Sequence, residues 1–280
     1  MISKDLSALS SSEMKDFLNS FDTLKQCGKV IHFVSNNDGY GTMGMVNALK
    51  NYDAEVEVVD LITPSQAIIS FLKKVKFNKQ LYILGTSAMK EDYQNAGFVL
   101  ANTKHNENED SLKVLSKYTD DDPNIGAVIC SYDVHLSNIK VIRCTAFLRR
   151  PEVYFITGPT DKKFHANKMA SVPGPYFYQH AIMEVTGRVP QEFGKPSKNL
   201  HEYITTSFNI KDSSRILFVG DSITQDIKFG RTYGYQTLLV FTGITSHSDF
   251  KNIETDDEVP NYYLNSFGDL YQIIKSKLDI

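Results

Sequence analysis

Compact apolar runs alternate along this chain with stretches in which apolar residues recur every three or four positions. The first pattern reads as buried strand and the second as one face of a helix. Over residues 10–21, Ser10 and Glu13 fit a capping box, and Met14, Phe17, Leu18 and Phe21 share a face, which predicts a short helix. Val30–Ser35 (VIHFVS) is an apolar run cut short by Asn36-Asn37-Asp38-Gly39, as expected of a strand running into a polar loop. Helical spacing covers Thr42 to Leu49, and Val56–Val59 is strand-like. Thr63-Pro64-Ser65 opens a helix carrying Ala67, Ile68, Phe71 and Leu72 on its apolar side. Further strands are expected at Leu81–Leu84, Ala127–Cys130, Val153–Ile156, Arg215–Val219 and Thr237–Phe241. Helices are expected at Asn138 to Leu148, at Tyr176 to Thr186, through Leu200, Tyr203, Ile204 and Phe208, and through Leu270, Ile273, Ile274 and Leu278. Strand alternating with helix predicts an α/β protein with a mainly parallel sheet. Residues 100–124, rich in Asn, Asp, Glu and Lys, read as a solvated excursion.

Composition narrows the function classes. The 280 residues are 41% hydrophobic and 22% charged with a net charge of -3, which provides no basic field for nucleic acid or an anionic membrane. Neither is expected as a partner. Cys27, Cys130 and Cys144 lie far apart and form no C-x-x-C, so a reducing compartment is expected rather than a disulfide framework or zinc site. The polar start of the chain, which carries acids, and the lack of a long apolar run point to the cytoplasm.

Ligands of parallel α/β sheets bind beyond the carboxyl ends of the strands. Three polar clusters stand at such places. Ser35-Asn36-Asn37 offers a hydroxyl, amides and backbone N–H groups that can hold phosphate oxygens, or it is a loop of turn-forming residues. Gly194-Lys195-Pro196-Ser197 puts a lysine on the extended backbone that precedes proline, where its ammonium is aimed at an anion or is simply solvated. Gly220-Asp221-Ser222-Ile223-Thr224-Gln225-Asp226 brings two carboxylates to one strand end, suited to Mg²⁺ or to capping the helix that follows. No G-x-G-x-x-G or G-x-x-x-x-G-K-[ST] is present, which disfavours a nucleotide-binding α/β protein.

In order and spacing, the three clusters resemble the second, third and fourth motifs of the haloacid dehalogenase (HAD) superfamily. The likeness is to its phosphoglycolate, pyridoxal-phosphate and 4-nitrophenyl-phosphate phosphatases. Val34-Ser35-Asn36-Asn37 resembles the second motif, Gly194-Lys195-Pro196-Ser197 the third, and Val219-Gly220-Asp221 through Thr224-Gln225-Asp226-Ile227 the fourth. Gly230, Gly234, Thr237, Thr242 and Gly243 continue the pattern, as do Gly126-Ala127-Val128, Tyr132–His135 and Pro173-Gly174. The resemblance implies a Rossmann-like core from residues 1–79 and 189–280 with an inserted α/β cap over 80–188. It implies that Ser35, Asn36 and Asn37 bind a phosphoryl group and that Lys195 neutralises it. Asp221 would ligate Mg²⁺, and Asp226 would support the metal from behind. The partner implied is a small phosphorylated metabolite, and the resemblance leaves room for a homodimer through the cap. In the cap, Thr157-Gly158-Pro159-Thr160-Asp161 departs from a T-N-x-D-like segment.

The family reaction also needs a first motif, D-x-D at the end of a central strand. One Asp attacks phosphorus and the other protonates the leaving group. Here Asn19-Ser20-Phe21-Asp22-Thr23, similar to the approach to that strand, passes directly to Leu24-Lys25-Gln26-Cys27-Gly28-Lys29, similar to the segment before the next one. Asp22 has Leu24 where a second Asp is needed and lies 13 positions before Ser35, too few for a parallel crossover. Asp120 and Asp122 follow no apolar strand. The core is therefore expected to lack its first-motif strand and nucleophile. Weakened Mg²⁺ binding and impaired phosphomonoesterase activity follow. The chain is then a crippled or incomplete form of a phosphatase, or a non-catalytic phosphate-binding or regulatory protein.

Overall fold

The computed structural model of the chain describes residues 11–51, 55–104, 112–165 and 170–278. In chain order the elements begin with α1 (Ser11–Gln26), β1 (Phe33–Val34), α2 (Gly41–Lys50), β2 (Leu61–Ile62), α3 (Pro64–Lys74), β3 (Gln80–Leu84) and α4 (Ser87–Asn95). There follow β4 (Ile125–Cys130), α5 (Asn138–Phe147), β5 (Tyr154–Thr157), β6 (Lys163–His165), β7 (Ser171–Pro173), α6 (Tyr176–Thr186) and β8 (Gln191–Glu192). The remainder is α7 (Lys198–Ser207), β9 (Leu217–Gly220), α8 (Lys228–Thr232), β10 (Gln236–Val240), α9 (His247–Lys251), β11 (Tyr262–Leu264) and α10 (Asp269–Leu278). The protein is α/β with parallel sheets, as its periodicity predicts.

The chain divides into two compact units. One is Met1–Ser35, Met45–Ile62 and Lys195–Ile280; the other is Asn36–Gly44 and Thr63–Gly194. The boundaries expected at 79/80 and 188/189 both fall inside the second unit.

The second unit is built on a four-stranded parallel sheet in the order β3-β4-β5-β8, with β6 and β7 forming a separate antiparallel pair. All six residues of β4 are buried, as befits a strand flanked on both sides and covered on both faces. Tyr82, Leu84, Val128, Phe147, Phe155 and Ile182 belong to the core around it. Each such side chain contributes about 1.5–3 kcal/mol by leaving water. Local chemistry sets the ends of its helices. Thr63 and Gln66 form a reciprocal capping box at the start of α3, and Pro64 occupies its first turn. Gly187 stops α6 with a φ of 64°, a left-handed conformation that costs glycine little.

The strands of the first unit fall into two separate parallel sheets, β1-β2 and β11-β10-β9. A core of Phe17, Phe21, Phe33, Val46, Leu49 and Leu61 joins α1 and α2 to β1 and β2. A smaller cluster of Ile223, Ile227 and Leu239 lies by β10. Among the described residues the expected strand Val30–Ser35 forms a ladder only at Phe33–Val34, where β2 is its strand partner. Val30 is 83% exposed. The expected strand Val56–Val59 is a correction. Val58–Asp60 is a short 3₁₀ turn, and the strand that pairs β1 is Leu61–Ile62. α1 is also longer than predicted and continues through Asp22, Thr23 and Leu24 to Gln26. The residues on either side of the expected strand insertion thus form one helix, anchored by the buried rings of Phe17 and Phe21. Ser10 and Glu13 were expected to cap its start; Ser10 lies outside the described residues.

Candidate functional site

β9 ends at Gly220, and the chain turns at once into a π-helical turn, Ile223–Ile227, that leads into α8. Ser222, and neither Asp221 nor Asp226, caps this turn, its Oγ accepting the Gln225 N–H at 3.3 Å. That releases both carboxylates from the helix-capping alternative. Asp226 is fully buried, and its Oδ2 accepts the N–H groups of Asp221 (3.2 Å) and Ser222 (3.1 Å). Its Oδ1 accepts Lys195 Nζ at 2.8 Å. Asp221 Oδ2 accepts the Ile244 N–H at 2.9 Å, and the Asp221 carbonyl accepts the Thr245 N–H at 3.0 Å.

Two glycines make room for these groups. A Cβ on Gly220 would overlap the Asp226 carboxylate, and a Cβ on Gly243 would overlap that of Asp221. Gly243 was visible in the sequence as part of a pattern; its reason is this close approach.

Lys195 lies in the first unit with its side chain wholly buried. Its ammonium donates to Asp226 and, at 3.2 Å, to the Val34 carbonyl. The direction of that carbonyl matters. Ser35 N–H donates to Ile62 O across the β1–β2 ladder. Polar groups of successive residues in a parallel strand face opposite edges, so the Val34 carbonyl points away from β2. Lys195 therefore satisfies an acceptor on the open edge of β1. The solvated alternative for Lys195 does not hold.

Ser35, Lys195, Asp221 and Asp226 are thus brought together where β1 and β9 end, Ser35 being the residue after Val34. Ser35 is 3% exposed. Asn36 and Asn37 open the Asn36–Gly44 segment of the second unit. Asn36 is buried, while Asn37 is exposed and its Oδ1 accepts the Gly39 N–H at 3.1 Å, which is turn chemistry. Burial raises the Asp226 carboxyl above the usual carboxylate range, and the Lys195 ammonium opposes that rise.

The donor set fits Mg²⁺ only in part. Both oxygens of Asp226 are held by Lys195 and backbone amides, so of these two carboxylates Asp221 is the one that would hold a cation. Among the described residues no group of three His, Cys, Asp or Glu side chains could hold a metal ion. Mg²⁺ sites often take one or two carboxylates and fill the rest with water and substrate phosphate.

Sequence reasoning missed three groups. Thr245 Oγ1 accepts the Ile223 N–H at 3.3 Å, and Ser222 caps the turn. Asp38, read as part of a polar loop, is 2% exposed. Its carboxylate accepts Ser131 Oγ at 2.7 Å and Ser65 Oγ at 3.1 Å within the second unit. Burial pushes its pKa up to about 6 despite both hydroxyls. A cleft in that unit is lined by Thr157, Thr160, Lys162, Tyr176, Gln179 and Glu192 among others, so the changed segment Thr157–Asp161 does border a cavity. Asp22, by contrast, is an exposed residue of α1, and in the loop before β4 Asp120 is exposed and Asp122 half-buried.

Comparison with known proteins agrees with this geometry. Residues 12–99 match the family model described as haloacid dehalogenase-like hydrolase, and residues 192–270 match the HAD-hydrolase-like model. The chain belongs to the haloacid dehalogenase superfamily. It is 27% identical to a 4-nitrophenylphosphatase of Schizosaccharomyces pombe over 88% of this chain and 84% of that protein. It is 28% identical to phosphoglycolate phosphatase 2 of Arabidopsis thaliana over 92% of this chain and 86% of that protein. A solved p-nitrophenyl phosphatase from Archaeoglobus fulgidus has the same fold, with a TM-score of 0.75, 21% identity and 92% of each chain covered. The superfamily relationship supports a phosphatase-type chain.

Proposed function

We infer that the first unit carries the phosphate-binding half of a phosphomonoesterase site and lacks the group that attacks phosphorus. The observation that carries this is the buried Lys195 ammonium, held between the Val34 carbonyl and Asp226 beside Ser35. A fixed, desolvated cation at the carboxyl end of parallel strands suits a phosphoryl group. The substrate class is a small phosphorylated metabolite, of which phosphoglycolate and pyridoxal phosphate are examples. Mg²⁺, when bound, would neutralise phosphate charge at Asp221. Without the first motif's carboxylate that binding would be weak.

Hydrolysis by this chain is impaired. Lys195, Ser35 and Asp221 position phosphate, but among the described residues no D-x-D stands at the end of a strand beside them. Water attacks poorly without a carboxylate in line. A phosphate-binding protein without turnover is the second reading, favoured by how completely Asp226 and Lys195 satisfy one another.

The test uses the purified chain. Inorganic phosphate should raise its thermal midpoint, and Lys195→Met should remove that shift. With Mg²⁺, turnover of 4-nitrophenyl phosphate should lie orders of magnitude below an ordinary enzyme rate. Ordinary turnover that Asp221→Asn abolishes would show that a nucleophile is present after all.

A further inference from the structure

Lys195 is followed by a residue that cannot donate a backbone hydrogen bond. Pro196 has no N–H, so its carbonyl is the one main-chain group by which it can be tied down. The Tyr233 hydroxyl donates to that carbonyl at 3.3 Å. Just beyond, Ser197 caps α7, its Oγ accepting the Leu200 N–H at 3.3 Å.

Tyr233 is itself held by rings. It lies on the His201 imidazole of α7, with centroids 4.3 Å apart and planes 11° from parallel, and it meets the Phe229 ring edge-on at 5.2 Å. His201 Nδ1 and the Tyr235 hydroxyl share a hydrogen bond of 2.7 Å. Tyr235 is buried and packs on the buried rings of Phe218 and Phe229. Gly234, between the two tyrosines, has a left-handed φ of 75°, and both of its neighbours reach His201. Buried rings are thus connected to the Lys195 backbone through Tyr235, His201, Tyr233 and Pro196 in turn. Burial, aided by Glu202, holds the Tyr233 phenol above its ordinary pKa, so it keeps the proton that it donates.

Packing alone does not account for the hydroxyl. Tyr233 is half-buried, and phenylalanine would keep both of these ring contacts. What the hydroxyl adds is the bond to Pro196.

We propose that Tyr233 is a positioning residue for Lys195, fixing its backbone through the Pro196 carbonyl so that the ammonium meets a phosphoryl group without a shift of the loop. This rests on the reading of Lys195 as the phosphate-binding cation. The ammonium already donates to Asp226 and to the Val34 carbonyl, and phosphate must draw on it without dislodging the buried ion pair. A fixed backbone leaves only the end of the side chain to adjust, so less freedom is lost on binding. Tyr233 acts through Pro196 and needs no contact with phosphate.

The test is calorimetric titration of inorganic phosphate into the full chain. Tyr233→Phe should weaken binding about three- to tenfold, the share of one hydrogen bond, and leave the thermal midpoint without phosphate nearly unchanged. A Tyr233→Phe chain that binds phosphate as the unaltered chain does overturns the proposal, and a lowered midpoint with unchanged affinity gives the hydroxyl a purely structural role. His201→Leu takes away the ring on which Tyr233 rests and should weaken binding in the same direction. It decides the matter if Tyr233→Phe does not fold, and unchanged affinity there overturns the proposal too. A second readout needs no phosphate. In ¹H–¹⁵N spectra the Lys195 ammonium, assigned by its loss in Lys195→Met, should exchange its hydrogens severalfold faster in Tyr233→Phe. If the unaltered chain binds no phosphate, the phosphate reading of Lys195 falls, and this exchange rate decides the positioning role by itself; an unchanged rate overturns it.

Discussion

Lys195 and Asp226 lie 2.8 Å apart with side chains 0% and 1% exposed. Removing one partner of such a pair leaves an uncompensated charge in the interior. Lys195→Met alone should therefore cost on the order of 3–5 kcal/mol. The double variant Lys195→Met with Asp226→Leu should recover a large part of that loss. Urea unfolding of both variants checks it; equal losses would mean that the pair is not the stabilising unit.

The glycines behind the two carboxylates give a second expectation. Gly220→Ala and Gly243→Ala each force a methyl group into a carboxylate, and overpacking of this kind costs about 1–3 kcal/mol. Gly234→Ala, whose added carbon meets nothing closer than 3.9 Å but sits at a φ of 75°, separates strain from collision. Chemical denaturation of the three variants should rank the first two as the more damaging.

Asp38 provides a pH dependence. Its folded pKa of about 6 exceeds the ordinary 3.8, so the folded state holds its proton more tightly than the unfolded state does. The stability it confers is fully present below pH 3.8 and is lost as pH rises through about 6. Across that window the loss is on the order of 2–3 kcal/mol. Asp38→Asn should flatten this slope, measured as unfolding free energy against pH. An unchanged slope would place the titrating group elsewhere.

Activity is expected to return with the missing carboxylates. A strand ending in Asp-x-Asp, with its loop and helix, inserted between Thr23 and Leu24 should raise Mg²⁺-dependent turnover of 4-nitrophenyl phosphate by orders of magnitude. The junction falls within α1, but Phe17 and Phe21, which anchor that helix, precede it. Failure of a folded insertion variant to turn over would argue against the phosphatase reading.

The sequence was most readable where local chemistry and burial agree. Tyr176–Thr186 carries a helical pattern and ends at Gly187, and the structure has those bounds. Asp221 and Lys195 were singled out from spacing and resemblance, and the structure brings both of them to Asp226. What stayed hidden depends on partners far along the chain. Val56–Val59 has strand composition, but the strand pairing with β1 is Leu61–Ile62. Asn19–Thr23 reads as the approach to a strand, yet with none following it extends α1. β11 and α4 carry little periodicity and were missed. The buried state of Asp38 could not be read from a run of Asn and Asp, because Ser65 and Ser131, which hold it, lie 27 and 93 positions away.

The divided sheet also bears on how the protein opens. Cooperative unfolding spreads through a sheet because each ladder must break with its neighbour. Between β1 and β9 that coupling runs through the ammonium of Lys195 instead of a row of amides. The β1–β2 pair is then free to exchange its amide hydrogens at a lower opening energy than the β9–β11 sheet, as a separate cooperative block within the same unit.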